Sequence, residues 1–85
     1  MLFAESGMMV SDAKWQDRAR GLLKVELARQ NLGYKELVER LDKIGVKERP
    51  QSIANKMSRG GFSAAWLLQC LYALGCEDVR LKWPD

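Results

Sequence analysis

Eighty-five residues, 47% of them hydrophobic and 29% charged, make a single domain with one core and leave no room for a second. With no histidine and two cysteines, the chain lacks the ligands of a four-coordinate structural zinc site and the usual general base of a catalytic triad; no enzyme, metal or cofactor is expected. The net charge of +3 is modest but uneven: residues 43–59 hold Lys43, Lys47, Arg49, Lys56 and Arg59 against Glu48 alone, a local excess suited to facing phosphates.

In "MLFAESGMMV" there is no basic region, and the apolar runs are interrupted by Glu5, Ser6 and Gly7. No apolar stretch reaches spanning length, so neither an export signal nor a membrane partner is expected. Residues 1–11 read as a flexible tail ahead of a domain spanning 12–85. Cys70 falls inside an apolar helical run, which suits a buried thiol and a reducing cytoplasm.

Gly33, Gly45, Gly60-Gly61 and Gly75 punctuate four helical segments. The first runs from Asp12 to Gln30, capped by Ser11 or Asp12, with Trp15, Ala19, Leu22, Leu23 and Leu27 at helical spacings and Trp15 as a lid on the core. The second, "YKELVERLDKIG", sets Leu37, Val38, Leu41 and Ile44 on one side and ends at a left-handed Gly45. Val46 is the expected apolar pin in the link that follows.

The third segment starts on Pro50, which suits a first helical turn, and stops at Gly60. Stepping about 100° per residue places Gln51, Ser52, Asn55, Lys56 and Arg59 on one arc and Ile53, Ala54 and Met57 opposite. The outer arc holds amides, a hydroxyl and two cations, the side chains that bond base edges and phosphates, and it contains no acid. Asn55→Ala and Lys56→Ala are accordingly expected to leave thermal stability nearly unchanged.

The fourth segment follows "GGFS", with Ser63 as N-cap and Phe62 stapled onto Leu67. Leu67, Leu68, Leu71, Tyr72 and Leu74 form its broad apolar face. Beyond Gly75, "VRLKW" alternates and reads as a short strand or extended tail. Val79, Leu81 and Trp83 either cover the domain's own core or form the contact of a homodimer through residues 79–83.

From "LARQNLGYKEL" through "SIANKMSRGGFSAAWLLQCLYALGC" the chain resembles the lambda-repressor-like (Cro/C1-type) helix-turn-helix domains. The phrase "NKMSRGGFSAAWLLQCLYALG" also resembles a small bacterial domain family of unassigned function. The first resemblance implies a compact all-α domain of four to five helices with a short extended C-terminal tail. It places Gln51 and Ser52 at groove-entering positions, Asn55 and Lys56 at mid-helix base or phosphate contacts, and Ala54 and Met57 in the core. Ser58 stands where that family often has Glu, Gly33 and Tyr34 replace its usual Ser-Gln, and "KIGVKER" lengthens the turn.

The expected function is sequence-selective binding of double-stranded DNA by a transcriptional regulator. Gln51, Ser52 and Asn55 would read bases, and Lys47, Arg49, Lys56 and Arg59 would hold phosphates. The alternative, favoured by the altered second segment and the long turn, is a protein-interaction adaptor, an accessory factor or antitoxin-like.

Overall fold

The computed structural model describes residues 12–81 and 83; the expected tail 1–11, with its candidate cap Ser11, lies outside the described residues, as do Lys82, Pro84 and Asp85. The fold is all-α: helices α1 (Asp12–Gln30), α2 (Tyr34–Lys43), α3 (Pro50–Arg59) and α4 (Ala64–Ala73), with no strand among the described residues. Among the described residues after Gly75 the chain is irregular, and the alternating Val79, Arg80 and Leu81 pair with no strand.

Local chemistry explains the helix ends. α1 stops on Asn31, not on a glycine: Asn31 takes φ 58°, and the N–H groups of Asn31 and Leu32 return to the carbonyls of Ala28 and Leu27 at 3.0 and 2.9 Å. Gly33 is instead the N-cap of α2. Its N–H donates to Glu36 Oε1 at 2.8 Å, a bond that holds the Glu36 carboxyl below its ordinary pKa. α2 closes through Gly45 and Val46, whose N–H groups meet the carbonyls of Asp42 and Leu41 at 3.0 Å each, and α4 closes the same way through Gly75 and Cys76.

The core joins Leu23 and Leu27 of α1, Leu37 and Leu41 of α2, Ile53 and Met57 of α3, Trp66 and Cys70 of α4, and Leu74 at the C-cap of α4. Val46 packs against it from the link, as its sequence position suggests. α4 lies against α2 and α1, and α3 against α2. Covered on that side only, α4 does not bury the whole apolar face expected of it: Trp66, Cys70 and Leu71 turn inward, while Leu68 and Tyr72 stay exposed. Val79, Leu81 and Trp83 are exposed as well, so they do not roof the core. Trp15 is 40% exposed and meets Trp83 edge-on at 6.2 Å, a contact at the rim in place of the expected lid.

Two polar clasps fasten α1 to its neighbours. Arg20 Nη1 donates to the carbonyls of Met57 at 2.6 Å and Ser58 at 3.1 Å, near the C-terminal end of α3, while Asp17 Oδ1 takes the other side of the guanidinium at 2.6 Å. Gly60 sits beneath: at φ 69° it ends α3, and a Cβ there would lie 2.9 Å from Arg20 Nη1. At the other end Glu26, 6% exposed, accepts from Arg29 at 2.5 Å and Gln30 at 2.6 Å, and Gln30 also donates to the carbonyl of Leu74, the C-cap of α4, at 2.8 Å.

The bond from Arg29, then that from Gln30, depresses the Glu26 pKa. A depressed carboxyl contributes stability above its unfolded value and loses it as pH falls through the folded value. Melting temperature is therefore expected to fall below about pH 4, the range of unfolded glutamate. Glu26→Gln, melted over the same series, should show a shallower acid slope; an identical slope would refute the assignment.

Candidate nucleic-acid interface

α3 is built to hold one face in and offer the other. Pro50 occupies its first turn, and Arg49 before it takes the extended backbone that a following proline requires (φ −127°, ψ 153°). Ile53 is fully buried and Met57 is 3% exposed, with Ala54 half-buried beside them, which is the inward side read from the sequence. The first turn has no acid, and Lys56 and Arg59 occupy the last turn, where cations suit the carbonyl end of the helix.

The seven expected site residues are not equivalent. Gln51, Asn55, Arg49 and Arg59 are exposed, and Gln51 Nε2 donates to Asn55 Oδ1 at 3.1 Å, so the two amides stand as a linked pair. Ser52 is half-buried at the flank. Lys47 is exposed but paired with Asp42 across the link, a surface ion pair of small worth.

Lys56 differs most from the sequence expectation of an outward side chain. Its side chain is 30% exposed, its ammonium lies 2.5 Å from Glu48 Oε2, and it stands 5.1 Å from the centroid of the Trp66 ring. The Glu48 side chain, only 7% exposed, also accepts the indole N–H of Trp66 at 2.8 Å. Lys56→Ala would strip a buried carboxylate of its cation, so the expected neutrality holds for Asn55→Ala and not for Lys56→Ala.

Glu48 is the residue that sequence reasoning undervalued. Along the chain it is a lone acid among five cations, whereas in the fold it gathers the link, α3 and α4 at one carboxylate. Trp66 lies eighteen residues further along the chain, and nothing in local spacing signals that meeting. Ser63 does cap α4 as expected, accepting the Trp66 N–H at 3.0 Å. Phe62 lies with its ring 5.1 Å from that of Trp66, and both Phe62 and Leu67 pack against the core.

Cys70 is buried, and burial first, then the nearby Glu48 charge, pushes its thiol pKa up to about 12, so it is an inert core side chain. Among the described residues no group of acids and cysteines could hold a metal ion. No helix among them is long and apolar enough to cross a membrane.

These features define a small all-helical domain that presents one polar, acid-free helix face, braced from behind by an ion pair and at its end by an arginine. Residues 15–79 match the family described as Domain of unknown function (DUF6471), and the chain belongs to that family. No curated protein matches the chain. No solved structure matches it either.

Proposed function

We propose that this domain binds double-stranded DNA sequence-selectively, as a cytoplasmic transcriptional regulator that inserts α3 into the major groove. The observation that carries the reading is the outer face of α3: the linked amides of Gln51 and Asn55, flanked by exposed Arg49 and Arg59, with no acid on the helix. The bond between the amides leaves the Gln51 carbonyl and the Asn55 amino group for a base. One acceptor beside one donor suits the N6 amino group and N7 of adenine. Arg49, Arg59 and exposed Lys43 supply phosphate contacts.

One such module makes few contacts, and a dimer on two half-sites multiplies them. Val79, Leu81 and Trp83, exposed with Leu68 and Tyr72, support a homodimer through residues 79–83, joined by side chains in place of the strand edge expected from the sequence. The same apolar side chains favour the second reading, an adaptor that binds a protein partner.

The deciding experiment is selection of bound duplexes from a random pool, followed by titration of the recovered duplex at several salt concentrations. A palindrome with adenine in each half-site is expected, with log affinity falling linearly against log salt. If no duplex binds even at low salt, the DNA reading fails and the adaptor takes its place.

A further inference from the structure

We propose that Lys56 is a positioning residue: its charge neutralises Glu48 inside the domain and sets the pose of α3, and it is not a phosphate ligand. The phosphate half of this rests on the DNA reading above; the positioning half stands on the geometry of the free protein.

Three chain segments converge on one carboxylate. The link between α2 and α3 carries Glu48, α3 supplies Lys56, and α4 supplies Trp66. A single oxygen, Oε2, takes both the ammonium at 2.5 Å and the indole N–H at 2.8 Å. The ammonium is attracted a second time by the face of the same indole. For Lys56 to reach a phosphate it would leave both, stranding a carboxylate whose side chain is 7% exposed. Stranding a carboxylate this little exposed costs more than the contact of one exposed cation with a phosphate in water contributes, although the 30% exposure of Lys56 moderates the difference.

The geometry also explains how a long link can hold α3 steady. Residues 46–49 belong to no helix: the Val46 N–H closes α2 on the Leu41 carbonyl, and the Arg49 carbonyl already accepts from Ile53 of α3. Val46 packs into the core near the end of α2, and Glu48 anchors two residues later, just ahead of the first turn of α3. The anchored link is therefore short on both sides of Glu48, and the exposed face of α3 is aimed by the carboxylate, its cation and the indole together.

The test compares Lys56→Met with the double variant Glu48→Gln/Lys56→Met. The double variant keeps the wild-type net charge, retains a carbonyl for the Trp66 indole, and leaves an aliphatic stem over its ring. Arg59→Met serves as the reference for loss of an exposed phosphate contact. Duplex affinity is measured against salt for each protein, together with its melting temperature.

Lys56→Met is expected to melt lower and bind at least about tenfold more weakly, because a buried carboxylate is left unpaired. The double variant should return to within about threefold of wild type and keep the wild-type salt slope, whereas Arg59→Met should lose about 0.9 of a slope unit, the share of one phosphate. A double variant that loses the same slope share as Arg59→Met, with no recovery of affinity, overturns the proposal. If the wild type binds no duplex at low salt, the DNA reading fails separately, and melting decides: a double variant melting above Lys56→Met supports positioning, and one melting no higher overturns it.

Discussion

Ile53→Ala is expected to lower the unfolding free energy by about 2–5 kcal/mol, the range for deleting a large buried aliphatic group and leaving a cavity. Ile53 is fully buried, on the side of α3 that meets the core contributed by the other three helices. Small domains commonly have only about 5–15 kcal/mol in total, so this one change brings the fold near its limit. In urea unfolding followed by helical circular dichroism, the midpoint should drop while the slope stays near that of the wild type. Asn55→Ala, two residues along but on the exposed side, should leave the midpoint within about 0.5 kcal/mol. On the DNA reading it should weaken binding to the selected duplex by about 1–3 kcal/mol. A stable Ile53→Ala would contradict the register of α3 itself.

Arg20→Ala is expected to cost about 2–3 kcal/mol, because a guanidinium that bonds two carbonyls is charge-assisted and replaced by nothing. The Arg20 side chain is 18% exposed, and its acceptors, the Met57 and Ser58 carbonyls, belong to the last turn of α3, where no following helical turn can satisfy them. For a chain of this length such a loss corresponds to a melting temperature lower by roughly 10–15 °C. Arg20→Lys should recover only part, since one ammonium cannot span both carbonyls and Asp17 as the planar fork does. Asp17→Asn should have the smaller effect, because Asp17 is 67% exposed and acts by orienting Arg20. An unchanged melting temperature in Arg20→Ala would show that the clasp contributes nothing. The consequence for function is direct: without the clasp α3 is held to α1 less firmly, and on the DNA reading affinity should fall although Arg20 lies outside α3 and is engaged with its carbonyls and Asp17.

Features that depend on a few neighbouring residues are legible along the chain. Pro50 and Gly60 bound α3 because one needs no N–H in the first turn and the other reaches φ 69° without strain. Ser63 starts α4 through a bond three residues away, and the helical period separates Ile53 and Met57 from Gln51, Asn55 and Arg59. Even Asn31, a left-handed stop made without glycine, has a local cause.

Which surfaces find partners depends on how the helices pack. Leu68 and Tyr72 belong to an apolar helix but stay exposed, because α1 and α2 cover only one side of α4. Arg20 meets carbonyls 37 and 38 residues away, and Lys56 lies on the arc of a polar face yet turns to Glu48 and Trp66. Helical period gives a residue's angle around its own axis, while pairing and burial depend on where other helices lie. That position is set by packing between distant parts of the chain, which is why the acid-free face was legible in the sequence and the role of Lys56 within it was not.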